Sequence, residues 1–353
     1  MRALHDKKEY VGGGEQLSHV WIPSKQPART HVKNIGTSWR FLNRSGAEIS
    51  TYKSRSPRQN EGMARYGAVE IGGTKTLCAV GWSPDDLSRK VTFPTTGPAE
   101  TLGRVVEFLR AQAPEAIGIA AFGPLGLVGG RVGVTPKEGW SGTDLVGPVR
   151  NAIDVPIGLD TDVNGAALGE SRWGRARGLA TFVYITVGTG IGGGALIDGE
   201  PIHGLGHPEM GHISVRRHPD DDYAGICRLH GDCLEGLASG PAIEGRSGIR
   251  GEALSGAALA TAVEIEAFYL AQMTRNLVYI LAPERVIVGG GVSRLPGLLD
   301  RVNERLIDEL SGYPGLAEHE SGIVVPPGLG DMSGLAGALV LAARAFDRAM
   351  SSE

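Results

Sequence analysis

The hydrophobic pattern becomes regular at Tyr66. "YGAVEIGGTKTLCAVGW" enters as β-branched and apolar residues, breaks at a glycine turn and resumes as a second apolar run, which predicts strand, turn, strand. "TFVYITVGTGIGGGALIDG" (181–199) has the same form. "EAIGIAAFG", "VPIGLD" and "RVIVGGG" are short apolar runs bounded by glycine, proline or acid, as in buried strands. Helical spacing governs "NGAALGESRWG", which opens after Asp162, the long stretch 255–283, and "SGLAGALVLAARAF" near the end. Strands alternating with helices predict a layered α/β fold, with ligands at the strand ends. The repeated hairpin predicts two related halves, 63–180 and 181–353, with the last helix packing back on the first half. Residues 1–62 lack a sustained apolar period and read as a disordered extension, or as residues upstream of a true start at Met63.

Composition changes this picture in three places. Glycine numbers 54 of 353 residues, well above the usual share of roughly 7%, and it clusters after apolar runs, as ligand-cradling turns do. The net charge of -4 hides an asymmetry: residues 1–62 hold eleven Lys/Arg against five acids, leaving 24 against 34 for the rest. An acidic body argues against a nucleic-acid surface there. Three cysteines are too few for a disulfide framework, and no apolar run reaches the roughly 18 residues of a membrane span. A cytoplasmic protein is expected.

The two turns, "EIGGTKT" and "VGTGIGGG", can be read in two ways. Each is a tight hairpin that needs glycine, or a cradle whose bare backbone N–H groups and threonine hydroxyls approach a phosphate. Their repetition, with Thr74, Lys75 and Thr189 placed alike, favours a two-hairpin phosphate clamp. Gly188, Gly190 and Gly193 satisfy the dinucleotide fingerprint G-x-G-x-x-G, but a strand follows them where a helix is required. In "IGLDTDVNGAALGE", Asp160 and Asp162 stand where strand gives way to helix. Either could cap that helix, with Asn164 the better-placed cap, or serve as a general base at a strand end.

"CRLHGDCLEG" (227–236) sets Cys227, His230 and Cys233 at C-x2-H-x2-C spacing. The cysteines are too far apart for a C-x-x-C redox pair. Two buried thiols beside an exposed histidine is one reading; a tetrahedral zinc site is the stronger one, with His212 as fourth ligand and His218 as second choice. Four protein ligands make a closed site, which organises the loop and activates no water. Glu209 and Glu235 flank these ligands and could accept hydrogen bonds from sugar hydroxyls.

Taken together, these motifs resemble the ROK family (repressors, open reading frames and sugar kinases) over roughly Tyr66 to Arg348. The resemblance implies an α/β, two-domain actin-like ATPase (ribonuclease H-like) fold with the ligand cleft between domains. It implies ATP and Mg²⁺ at the two turns (Gly72, Gly73, Thr74, Lys75; Gly188, Thr189, Gly190) and at Gly289 and Gly290 of "VIVGGGV", with "LGDMSGLAGAL" also on the nucleotide side. Asp162 falls on the family's catalytic base. Glu209, His212 and Glu235 fall on sugar contacts, His212 also being a zinc ligand, and Thr161 and Lys137 are further expected substrate contacts. Three departures, Glu70 where Asp is usual, Thr161 where Asn is common, and the C-x2-H-x2-C loop, resemble the fructokinase branch, as do "TPKEGW" and "HGDCLEGLASGPAI". The implied reaction is ATP-dependent phosphorylation of fructose at its 6-hydroxyl. A glucokinase or broad hexokinase is the alternative within the family. A sugar-responsive repressor is the alternative of another class, and 1–62 lacks the paired amphipathic helices it needs. Homodimers are common in that family.

Overall fold

The computed structural model describes residues 31–35, 38–42, 48–53, 65–313 and 322–352. The chain divides into two units, Met1–Met63 and Ala64–Glu353. In the first, β1 (His31–Ile35), β2 (Ser38–Leu42) and β3 (Glu48–Lys53) form an antiparallel meander, with His31 opposite Leu42 and Ser38 opposite Lys53. These strands stand where the sequence reading placed no regular element. "SWRFL" and "EISTYK" carry aromatic and β-branched residues at alternate positions, a short local signal that a reading of composition passes over.

The second unit is built on two sheets of the same design. The first contains β4 (Tyr66–Ile71), β5 (Lys75–Gly81), β6 (Arg89–Pro94), β7 (Ala116–Ala121) and, after the small hairpin β8 (Leu125–Gly126) and β9 (Arg131–Val132), β10 (Ile157–Thr161). The second contains β11 (Phe182–Val187), β12 (Ile191–Ile197), β13 (Glu200–Pro201), β14 (Val286–Gly289) and β15 (Val324–Val325). Their spatial orders are β10-β7-β4-β5-β6 and β15-β14-β11-β12-β13. In both, the opening strand pairs antiparallel with the second and parallel with the fourth. The repeated hairpin in the sequence is thus the first two strands of a repeated sheet. Antiparallel pairing needs only a tight turn, whereas each parallel return runs through a helical crossover.

Helices α1 (Pro98–Gln112) and α2 (Gly147–Ala152) cover the outer face of the first sheet, around a core that includes Leu102, Val105, Leu109, Ile119 and Trp140. Between the sheets lie α3 (Asp162–Trp173) and the last helix, which share one apolar cluster with Ala68, Ala120, Tyr184 and Ile287. After α4 (Leu234–Ala238) and α5 (Gly240–Ser247), the long α6 (Gly256–Leu281) and α7 (Leu298–Leu310) back the second sheet. Helix α8 (Ser333–Met350) closes the chain against β4, β7 and β10 of the first sheet. Among the described residues no helix is long and apolar enough to cross a membrane.

Glycines let α3 and α8 approach closely. A Cβ on Gly337 would overlap the carbonyl of Gly165, and one on Gly169 the carbonyl of Ser333. Gly118 on β7 meets Ala338 of α8 in the same way. Gly337→Ala is therefore expected to destabilise the protein by about 1–3 kcal/mol through overpacking. Gly103→Ala, in α1 with open space where its Cβ would go, should stabilise it by up to about 1 kcal/mol through helix propensity. Urea unfolding of the two variants checks the opposite signs.

Candidate functional site

The strand–turn–strand pattern delivers both glycine turns to the ends of central strands. In the first, Gly72 N–H donates to the Lys75 carbonyl (3.0 Å), closing the turn before β5. Thr95, just past β6, braces it: its hydroxyl donates to the Gly72 carbonyl (2.8 Å), lies 2.8 Å from the Thr76 hydroxyl, and its N–H donates to the Thr74 carbonyl (2.9 Å). In the second turn, Gly188 N–H donates to the Gly190 carbonyl (2.9 Å), and Gly240 N–H at the start of α5 donates to the Gly188 carbonyl (2.7 Å). After β14, Gly290 has φ 88° and packs on the Val187 backbone, so Gly289 and Gly290 sit beside the end of β11. Only glycine meets both demands at Gly290.

At the end of β10 the structure separates two neighbouring aspartates that the sequence left equivalent. Asp160 is buried and its oxygens are engaged: it accepts from Thr161 N–H (2.7 Å), the Asn164 side-chain amide (2.8 Å) and His203 Nε2 (3.1 Å). The cap of α3 is Thr161, whose hydroxyl accepts from Asn164 N–H (3.1 Å). This corrects the expectation that Asn164 caps the helix. Thr161 is buried in that role. Asp162 opens the helix, with one carboxylate oxygen bonded to Val163 N–H (2.9 Å). Burial raises its carboxyl above the usual range; the backbone N–H bonds and His207 oppose the rise, and Glu209 adds to it. A carboxylate so placed can receive a proton at its second oxygen.

The second sheet brings the remaining residues to Asp162. Gly194 lets β12 lie directly on Val163 and Asn164, where any Cβ would collide, and a Cβ at Gly192 would crowd the Val163 side chain. Met210 packs on Gly193, and Gly211 fits against the Ile191 backbone. This seats the turn Met210–His212 so that Glu209 and His212 emerge on either side. His207 Nε2 accepts from Leu125 N–H (2.9 Å), and its Nδ1 lies 3.6 Å from Glu209 Oε1. The ring thus joins the loop after β7 to the Glu209 carboxylate. From the first turn of α4, Glu235 accepts from Ile191 N–H through Oε2 (2.9 Å), holding the second glycine turn.

His212, Cys227, His230 and Cys233 converge, with their ligand atoms all within 4.8 Å of one another. His212 Nδ1 is 3.7 Å from Cys227 Sγ and 3.6 Å from Cys233 Sγ, and His230 Nδ1 is 3.8 Å from Cys227 Sγ. Zinc bonds of roughly 2.0–2.3 Å in a tetrahedron put ligand atoms about 3.3–3.8 Å apart, so this set fits one zinc ion. His218, the second choice for fourth ligand, instead packs its ring edge-on against Phe268. The loop is held from below. Arg246 of α5 donates to both Asp221 oxygens (2.9 and 2.8 Å) and Tyr269 of α6 donates to one (2.6 Å). Burial pushes the Asp221 carboxyl up, but these bonds outweigh it and hold it below the usual range.

Several positions differ from the sequence reading or were missed by it. Lys137, expected on the substrate, donates instead to the carbonyls of Gly73 (2.6 Å) and Thr95 (3.2 Å). Glu70 lies against Gly334 at the start of α8; burial first, and then Asp162 nearby, push its carboxyl up to about 7. Glu170 lies within α3. It is fully buried and accepts from Arg175, Gly328 and Leu329 N–H and from the Ser333 hydroxyl, tying the "LGDMSG" loop to α3. An acid among Ala166, Ala167, Leu168 and Gly169 was the available signal, because a carboxylate on an apolar face needs donors from elsewhere. His203 and His207 carried no spacing signal, since their partners are distant in sequence.

Comparison with known proteins finds relatives along most of the chain. A family model described as the ROK family covers residues 66–345. A fructokinase from Zymomonas mobilis subsp. mobilis is 47% identical over 295 residues, 80% of this chain and 98% of that protein. Among solved structures, a ROK hexokinase from Thermus thermophilus superposes with TM-score 0.68 at 26% identity, covering 80% of this chain and 99% of its own. A ROK family glucokinase from Streptomyces griseus, in complex with glucose and AMPPNP, gives TM-score 0.62 at 26% identity, covering 79% and 99%.

Proposed function

We infer the reaction from one premise: the chain belongs to the ROK family. It is a sugar kinase, and the sugar is fructose. The observation that carries the choice of sugar is the similarity itself, 47% identity to a fructokinase along nearly the whole of that protein, against 26% to the hexokinase and glucokinase structures. ATP is the proposed donor and the 6-hydroxyl of D-fructose the proposed acceptor.

In the proposed mechanism the two glycine turns hold the β- and γ-phosphates, and Gly289 and Gly290 lie on the nucleotide side. Mg²⁺ entering with ATP supplies charge neutralisation on those phosphates. Glu209, Glu235 and His212 orient the sugar so that its 6-hydroxyl faces Asp162. Asp162 accepts the hydroxyl proton as the oxygen bonds to the γ-phosphorus, and the bond from that phosphorus to the β,γ-bridging oxygen breaks, its electron pair leaving with ADP. The raised carboxyl of Asp162 suits this role, because a stronger base takes the proton more readily. A zinc held by His212, Cys227, His230 and Cys233 would have four protein ligands and so would supply no chemistry; it would fix the segment from His212 to Cys233, and through it the flanking Glu209 and Glu235.

Coupled ADP-release assays on fructose, glucose, mannose and N-acetylmannosamine test the assignment. Fructose is expected to give a kcat/KM at least about tenfold above the others, a margin of roughly 1.4 kcal/mol in transition-state binding. Equal turnover of glucose would instead identify a broad hexokinase.

A further inference from the structure

We propose that Lys137 is a phosphate-side residue of this kinase, its ammonium group both locking the first glycine turn and offering a charged hydrogen bond to the terminal phosphate of the donor nucleotide. The inference deepens the kinase reading and rests on it. An ammonium has three N–H donors. In Lys137 one goes to the Gly73 carbonyl at the tip of the turn (2.6 Å) and one to the Thr95 carbonyl (3.2 Å). Both acceptors are neutral, so the positive charge is held at the turn without being cancelled.

The third donor and the tip of the turn face the same kind of ligand. The N–H groups of Gly73 and Thr74 have no protein acceptor among the described residues, and nothing lies within 4 Å of where a Gly73 Cβ would be. Two N–H groups without a protein acceptor beside a fixed cation suit an anion carrying several oxygens. A neutral sugar has no comparable need of that charge.

The loop bearing Lys137 is fastened for this placement. Trp140, fully buried, donates through Nε1 to the Thr96 carbonyl (2.9 Å), one residue beyond the Thr95 that Lys137 grips. Thr135 N–H donates to the Ser141 hydroxyl (3.1 Å), closing the base of the loop. Trp140 and Lys137 therefore staple "TPKEGW" to the segment that braces the first turn. A preorganised cation stabilises the charge that develops on the transferred phosphoryl group without reorganising at the moment of reaction.

The test compares wild type with Lys137→Met and Lys137→Arg, using Mg²⁺–AMPPNP binding by calorimetry alongside steady-state kinetics. Thermal unfolding serves as the folding control. For Lys137→Met, kcat is expected to fall about 100-fold, the scale of losing one preorganised donor. AMPPNP should bind at least about tenfold more weakly, while the fructose KM stays within about twofold. Lys137→Arg keeps the charge and should bring the AMPPNP affinity back to within about threefold of wild type, which a purely packing role would not predict. A rise in fructose KM with AMPPNP binding intact would overturn the proposal in favour of a sugar contact, and so would unchanged kcat and binding. If the wild type phosphorylates no sugar, the kinase reading fails by itself, and the AMPPNP comparison still decides where Lys137 acts.

Discussion

Asp162→Asn is expected to lower kcat for fructose by about 10²–10⁴-fold, the usual worth of a positioned general base. The substitution keeps the side chain's shape and its acceptor for Val163 N–H, so α3 and its Thr161 cap should be undisturbed. It removes only the ability to take a proton. Fructose and AMPPNP binding should therefore survive within a few-fold, and the defect should lie in kcat and kcat/KM together. Calorimetry and single-turnover kinetics on the same preparation separate these outcomes, and wild-type turnover in the variant would remove Asp162 from the mechanism. Asp160→Asn is the informative comparison. Asp160 is buried and engaged by Thr161, Asn164 and His203, so its loss should appear as lowered stability, with a smaller effect on turnover.

Cys233→Ala is expected to abolish zinc binding, from one ion per chain to none by elemental analysis. It should also raise the fructose KM by about tenfold or more, a scale set by the losses seen when groups supporting a metal site are removed. Cys233 immediately precedes α4, whose first turn carries Glu235, and Glu235 in turn holds Ile191 N–H of the second glycine turn. Releasing that end of the loop loosens the proposed sugar contact Glu235 first, so KM for the sugar should move more than kcat. Chelation of the wild type should reproduce the change, and added zinc should reverse it. A metal-free preparation with unchanged KM and full activity would refute the structural role.

Much of the frame was legible because it is written in local pattern. The glycine hairpins at 72–74 and 188–190, the long helix of 255–283 and the final helix each follow from period and turn chemistry, and their recurrence disclosed the doubled sheet. The convergence of the His/Cys cluster was legible too, since three of its four residues lie within seven residues of sequence. The strands β1–β3 were not, because their alternation is short and lies in a polar stretch. Glu170 and His207 were not either: their meaning depends on Gly328, Ser333, Leu125 and Glu209, which no spacing ties to them.

The sequence by itself determined which segments become strands, helices and glycine turns, and which residue types could carry chemistry. Those properties depend on residues close together in the chain, through backbone sterics and hydrophobic period. Only the tertiary structure decided among equals. Thr161 became the cap and Asp160 the buried anchor, while Asp162 bonds Val163 N–H at the start of α3; His212 joined the cysteines while His218 turned to Phe268; and Lys137 went to the first glycine turn. Each of those outcomes was set by a burial or a hydrogen-bond partner arriving from a distant element. A polar side chain takes its role from whatever desolvates it and satisfies it, and for these residues that environment exists only once the two sheets have closed on α3 and α8.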